Sequence, residues 1–282
     1  MRWSGNRESD NVEDNRGGGG MGGFALKGGV GTIIIALIYV FMGGNPSDVV
    51  NQIIAPQQQQ QSVNRPADEE RLASFTKVVL GLTEDVWDSI YNANEDRYVK
   101  PKLLMFTDQT QSGCGFASAA TGPFYCPADQ KVYIDLSFFK ELTEKFNAPG
   151  EFAMAYVIAH EVGHHIQQLN GTSAKMQELR NHLSETEYNK ESVKLELQAD
   201  FLAGVWAHHA NKLRKILEPG DIESALNAAN AIGDDRLQQQ SGGNVVPDSF
   251  THGTSKQRMY WFKKGFDTGD ITQGNTFQSI AD

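Results

Sequence analysis

Apolar residues recur at helical spacing through most of the chain beyond residue 68, whereas the first 67 residues hold one apolar run in polar surroundings. Leu72, Phe75, Val79 and Leu82 follow one another by three or four positions, and Val86 and Ile90 repeat the interval. Gly81 falls inside this pattern, so the spacing predicts a break near Gly81 and a new helix start at Thr83. "PKLLMFT" (101–107) reads as a strand. "GPFYCP" and "KVYIDL" are short, rich in β-forming residues and separated by "ADQ", which predicts a hairpin-like pair. After Leu136 the pattern is helical almost to the C-terminus, with helices predicted over 137–146, 150–169, 173–184, 190–212, 222–231 and 255–266. Gly171 stands where a helix ending at 169 places its C′ glycine. No internal repeat is visible.

The single apolar run has a different character. Residues 28–44 read "GGVGTIIIALIYVFMGG", and no charge falls between Lys27 and Asp48. The stretch 24–42 has about the length that crosses a bilayer as a helix. A cleaved signal peptide would have a short positive region and a small-residue cleavage site, and neither is present. A buried core helix would need apolar flanks, which are missing. The chain therefore divides into a Gly-rich polar segment (1–23) expected to be disordered and cytoplasmic, a transmembrane anchor (24–44), a Gln-rich linker (45–67) and a folded domain (68–282). Arg2, Arg7, Arg16 and Lys27 precede the anchor and no Lys or Arg occurs from 45 to 64, so the positive-inside rule keeps the N-terminus in the cytoplasm and exports the domain.

Composition narrows the function classes. The 282 residues carry a formal net charge of −10 and no long basic tract, which argues against nucleic acid as a partner. The two cysteines, Cys114 and Cys126, lack the close CxxC spacing of a zinc knuckle. An exported domain makes a disulfide between them reasonable.

The chemistry concentrates in "AHEVGHHIQQLNG" (159–171). His160 and His164 lie one helical turn apart on one face, the spacing at which two imidazoles hold one Zn²⁺ at about 2.0–2.1 Å. Glu161 lies about 100° round the helix, placed to contact water rather than the metal. Gly163 costs a helix about 1 kcal/mol relative to Ala, so it marks a place where another backbone approaches closely. A catalytic zinc site needs a third protein ligand and an open position. The metzincin pattern would require Gly at 167 and His at 170, and this chain has Gln167 and Asn170. Further along, Glu196 and Asp200 share a helix face among Leu195, Leu197, Ala199, Phe201 and Leu202. Two acids in such a stretch need partners, because burying an unpaired charge is costly. One of them on zinc and the other holding a ligand histidine satisfies both, and either assignment fits the spacing.

"HEVGHH" followed by "ELQAD" resembles the gluzincin arrangement, in which H-E-x-x-H is completed by Glu from an E-x-x-A-D helix. Nearly the whole chain is similar to the bacterial putative neutral zinc metallopeptidase family. The likeness runs through "RWSGNRESDNVEDNR", "GCGFASAATGPFYCPADQKVYIDLSFF", "YVIAHEVGHHIQ", "ELQADFLAGVWA", "ALNAANAIGDDRLQQQS" and "VVPDSFTHGTSKQRMYWFKKGFDTGD". The resemblance implies an α+β fold: a mostly helical, zincin-like metalloprotease domain with a small β-sheet, preceded by a single transmembrane helix. It implies one Zn²⁺ held by His160, His164 and Glu196, with Asp200 behind the ligands and Glu161 as general base. Cys114 and Cys126 match a cysteine pair of the family. Relatives often carry Cys where this chain has Phe201 and Gly274, which implies that those two positions pair in relatives and that the bridge is dropped here.

The implied reaction is hydrolysis of a protein or peptide substrate by zinc-activated water, with Glu161 moving the proton. His252 is the candidate donor to the tetrahedral oxyanion, with Tyr188 or Tyr133 behind it. The segment "KVYIDL" is expected to offer a sheet edge to an extended substrate. His165, His182, His208 and His209 are expected to be bystanders. The expected location is the bacterial inner membrane, single-pass, with the N-terminus cytoplasmic and the catalytic domain periplasmic. The rival class is a non-catalytic zinc-stabilised envelope scaffold or chaperone-like protein. Hydrolysis of a peptidoglycan amide is a further reading, without a recognisable wall-binding motif to support it.

Overall fold

The computed structural model describes residues 1–17, 65–240 and 245–278. The architecture is α+β and mostly helical, with a small sheet. The anchor expected at 24–44 and nearly all of the linker lie outside the described residues. Among the described residues, no helix is long and apolar enough to cross a membrane.

Four strands form the main sheet: β1 (Val12–Asp14), β2 (Lys102–Phe106), β5 (Phe124–Cys126) and β6 (Lys131–Asp135), in the order β1-β2-β6-β5. β1, β2 and β6 are parallel, with Val12 opposite Leu103 and Leu103 opposite Val132. β5 closes the edge antiparallel to β6, with Phe124 opposite Tyr133. This is the predicted hairpin. It also corrects the expected substrate edge: "KVYIDL" contains β6, which β2 pairs along its length and β5 covers over Lys131–Tyr133, so the edge there belongs to β5. The two-residue period of a strand divides the side chains between the faces. Leu103, Met105, Val132 and Ile134 pack into the main helical core, and Leu104, Phe106 and Tyr133 form a separate cluster on the other face. A second hairpin, β3 (Gln109–Ser112) with β4 (Gly115–Ser118), carries Cys114 in its turn. A Cys114–Cys126 disulfide ties that turn to the end of β5.

The helices are α1 (Ala67–Ala93), α2 (Ser137–Glu144), α3 (Glu151–Leu169), α4 (Thr172–Arg180), α5 (Glu185–Arg214), α6 (Asp221–Ala231), α7 (Asp234–Gln240) and α8 (Ser255–Thr268). α1 runs unbroken through Gly81, against the predicted break. The glycine serves contact rather than termination, since a Cβ there would lie 2.7 Å from the carbonyl oxygen of Arg7. α5 starts five residues earlier than its apolar pattern suggested. Ser184 and Glu187 form a capping box, which satisfies the first backbone donors without any apolar residue. α5 and α8 pack backbone to backbone, because a Cβ on Gly204 would lie 2.1 Å from the carbonyl oxygen of Phe262. Phe201 and Gly274 are neighbours: a Cβ on Gly274 would fall 2.4 Å from the Phe201 ring.

The N-terminal residues correct a second expectation. Met1–Arg16 belongs to the same compact unit as Ala67–Asp282, not to a disordered tail. β1 is part of the sheet, and Trp3 meets Phe75 edge to face. Composition alone hid this, because the arm's few apolar residues, Met1, Trp3 and Val12, pack on a core supplied by the domain, and charge and hydrogen bonding hold the rest. Glu84, 1% exposed, accepts from Arg7 Nη2 at 2.8 Å, Ser9 Oγ at 2.5 Å and Asn11 Nδ2 at 2.7 Å. Buried Arg16 pairs with Asp14, Glu69 and Glu70.

Candidate metal centre

α3 and α5 cross where Gly163 meets Ala199, and this contact brings the two halves of the candidate site together. A Cβ on Gly163 would lie 3.0 Å from the Ala199 carbonyl oxygen and 3.2 Å from its Cα. On α3, His160 and His164 project from one face with ring centroids 4.8 Å apart. On α5, Glu196 reaches between them, with Oε2 3.1 Å from His160 Nε2 and Oε1 3.5 Å from His164 Nε2. One ligand atom from each of these three residues falls within 4.8 Å of the others. Tetrahedral ligands at about 2.0–2.1 Å from zinc stand about 3.3 Å apart, so the donor set and its spacing fit that ion.

Asp200 is not part of this cluster. It is fully buried, and its carboxylate is taken up by other groups. Arg258 on α8 donates from Nε to Oδ2 at 2.8 Å and from Nη2 to Oδ1 at 3.0 Å, and Tyr156 donates its hydroxyl to Oδ1. His160 Nδ1 lies 2.9 Å from the same Oδ1, so the ring donates there and turns Nε2 toward Glu196, 3.1 Å from its Oε2. Burial pushes the Asp200 carboxyl up, but Arg258 and His160 outweigh it and hold the pKa at about 2. Of the two assignments the spacing left open, Glu196 is thus the carboxylate that faces both histidines.

His164 has a matching support. Its Nδ1 lies 2.8 Å from Gln167 Oε1, while Gln167 Nε2 donates to the Leu195 carbonyl at 2.7 Å and to Gln198 at 3.1 Å. Gln167 excludes the metzincin pattern in the sequence; in the fold it orients the second histidine. Neither Gln167 nor Arg258 announces itself in the chain. The available signals are a glutamine on the buried face of α3 and a lone arginine one turn before Trp261 and Phe262.

Glu161 is 8% exposed and lines a cleft of about 1130 Å³ that also reaches His160, His164 and Glu196. Burial pushes its carboxyl above the usual range while the two histidines pull it down, and the backbone N–H of Tyr125 bonds to it. Tyr125 lies on the edge strand β5, so the sheet edge and the candidate base share one wall. Opposite signs act on Glu196: burial raises its pKa, but the histidines hold it well below the ordinary carboxylate range.

His252 lines the same cleft. Asp234, at the start of α7, grips the loop before α8: Oδ2 accepts from the backbone N–H groups of Thr251, His252 and Gly253 at 2.7, 2.6 and 3.1 Å. Oδ1 lies 3.1 Å from His252 Nδ1, which leaves the outer ring nitrogen toward the cleft. This bond raises the His252 pKa, and burial opposes it. Tyr188 lines the cleft beneath the guanidinium of Arg180, 5.0 Å from its ring centroid. Tyr133 does not: it stacks on Phe124 and donates to Asp129 at 2.6 Å on the far side of the sheet edge.

The remaining histidines are held elsewhere. His165 is buried, 3.0 Å from the Tyr125 hydroxyl and 2.6 Å from the Val99 carbonyl, so it pins β5 to α3. His208 and His209 bond the carbonyls of Phe266 and Gly269 at the end of α8. His182 sits in the turn after α4, outside any helix.

The comparisons with known proteins agree with this geometry. The family model described as "Putative neutral zinc metallopeptidase" matches residues 1–277. The uncharacterised protein YpfJ of Escherichia coli (strain K12) is 51% identical over 284 residues, covering 98% of this chain and 99% of YpfJ. The uncharacterised protein Rv2575 of Mycobacterium tuberculosis (strain ATCC 25618 / H37Rv) is 38% identical over 261 residues, 86% of each chain. No solved structure matches.

Proposed function

The chain belongs to the putative neutral zinc metallopeptidase family, and on that premise we propose that it is a zinc-dependent peptidase with Glu161 as general base. One observation carries the reading. Three metal donors, His160, His164 and Glu196, converge on the wall of an open cleft beside a fourth, buried acid that is not needed as a ligand. A purely structural zinc site is closed by four ligands and has no use for that acid.

Bound there, zinc supplies Lewis-acid polarisation of the scissile carbonyl and lowers the pKa of water. The protein's own groups do the rest. Asp200 and Gln167 fix the two ligand rings in the tautomer that presents Nε2. Glu161, its carboxyl pushed up by burial, takes a proton from the attacking water and hands it to the leaving amine. His252, oriented by Asp234 on the lining of the same cleft, is the candidate donor to the developing oxyanion. The edge strand β5, whose Tyr125 N–H is given to Glu161, lines the cleft as the sheet edge beside which an extended peptide would lie, replacing the role expected of β6.

The disulfide supports work in an oxidising compartment, hence an extracytoplasmic domain at the cell envelope. The apolar stretch 24–42 supports membrane association.

The test pairs zinc content with hydrolysis of a denatured protein substrate, parent against Glu161→Gln. Stoichiometric zinc in both, with activity only in the parent, is expected. Equal activity in the two removes Glu161 as base. Stoichiometric zinc without activity in either supports the non-catalytic scaffold instead.

A further inference from the structure

We infer that residues 1–16 lie on the same side of any membrane this chain meets as the metal-binding domain, so that the apolar stretch 24–42 is not a single-pass anchor separating the two. The inference concerns topology and does not rest on the peptidase reading.

The N-terminal arm is built into the domain through a strand pairing, a buried carboxylate, a buried arginine and a close backbone approach. β1 pairs with β2 through three residues, Val12, Glu13 and Asp14 opposite Leu103, Leu104 and Met105. Ser9, Arg7 and Asn11 supply the partners of Glu84, which is buried on α1. Arg16, 3% exposed, pairs with Glu69 and Glu70 at the start of α1. Gly81 lacks a Cβ where the Arg7 carbonyl passes. Removing the arm to the other side of a bilayer would strip Glu84 of three donors at once, Arg7, Ser9 and Asn11. It would also uncover the ladder of β2, a liability in an exposed strand.

The same contacts weaken the argument for a cytoplasmic N-terminus. Arg7 is committed to Glu84 and Asp85, and Arg16 to Asp14, Glu69 and Glu70. These arginines are structural partners rather than free topological charges, and the arm also carries Glu8, Asp10, Glu13 and Asp14. A chain that leaves one side of a membrane and returns to it crosses an even number of times. Two crossings need about 40 predominantly apolar residues. Between Gly17 and Arg65 the sequence offers one apolar run, 24–42, followed by polar, Gln-rich sequence. One run of that length does not supply the two crossings that a return to the same side requires.

The test uses the full chain in its native membrane with single reporter cysteines at exposed positions, Ser4→Cys on the arm and Lys140→Cys on the domain. Cys114 and Cys126 are joined and do not react. Spheroplasts are treated with a membrane-impermeant maleimide before and after permeabilisation. Equal labelling of the two sites is expected in both conditions, whether both react at once or both only after permeabilisation. One site reacting in intact spheroplasts while the other reacts only after permeabilisation overturns the inference. The pair Asp10→Cys and Lys263→Cys repeats the comparison at different positions, so that a local loss of structure at one reporter is not read as topology.

Discussion

Replacing Arg258 by Met should destabilise the domain far more than an exposed ion pair would. The guanidinium is 2% exposed and makes two short bonds to a carboxylate that is fully buried. Breaking a buried pair from one side leaves an uncompensated charge and costs about 3–5 kcal/mol. A domain of 150–250 residues loses roughly 2–4 °C of Tm per kcal/mol, so the midpoint should fall by about 6–20 °C. Thermal unfolding followed by circular dichroism in the presence of chelator reads the fold without the contribution of bound metal. Adding Asp200→Asn to Arg258→Met removes the stranded charge, so the double variant should melt above Arg258→Met alone. The partial rescue should not extend to metal. A neutral amide in place of the Asp200 carboxylate is a poorer acceptor for His160 Nδ1, and losing such a support lowers metal affinity by about 10–100-fold. An Arg258→Met midpoint within about 1 °C of the parent, or a double variant no more stable than the single one, would refute the view that Asp200 and Arg258 act as one buried unit.

Gln167→Leu should leave the fold intact but weaken zinc binding by about 10–100-fold, because His164 Nδ1 loses its acceptor; competition with a chromophoric chelator reads it, and unchanged affinity removes Gln167 from the site. Gly204→Ala should cost about 1–3 kcal/mol in denaturant unfolding, since a Cβ there meets the Phe262 carbonyl at 2.1 Å; a gain, as Ala gives in a free helix, shows that α5 and α8 do not touch there. For His252 the pKa is raised by Asp234, so the imidazolium persists above the ordinary value of 6.5 and is lost as pH rises through the raised one. Hydrolysis that uses it should therefore show an alkaline limb above 6.5, and Asp234→Asn should move that limb to lower pH; identical kcat/KM profiles for parent and variant exclude the role.

What could be read in the chain followed from fixed intervals along one helix. His160 and His164, or Glu196 and Asp200, lie four apart whatever else the fold does, so their shared faces follow from helix geometry alone. The groups that orient them come from distant sequence. Arg258 meets Asp200 across 58 positions, and Asp234 reaches His252 across 18. The arm shows the same limit more strongly. Residues 1–16 have the composition of a chain that cannot form a core, and they do not form one. They complete the surroundings of Glu84, 75 positions from Ser9. The strand β6 was recognisable as a strand, but its place inside the sheet depends on β1 and β2, whose parallel pairing leaves no local mark.

Glycines carried more of the long-range information than any other residue, because each marks a place where something else must come close. Gly81 looked like a break in a helix and proved to be the point where the arm crosses α1. Gly163 sits between the two histidines for a related reason. It lies against the backbone of Ala199, one residue before Asp200 and three after Glu196. Any side chain at 163 would have to move α5 outward by a few tenths of an ångström, given a contact already at 3.0 Å. Metal–ligand distances tolerate deviations of about 0.2 Å, so that displacement is on the scale at which Glu196 would lose the two histidines. The glycine inside the motif thus sets the separation of α3 and α5 at which a carboxylate from one helix reaches a pair of imidazoles on the other. This is why the motif needs the second helix as much as it needs its own two histidines.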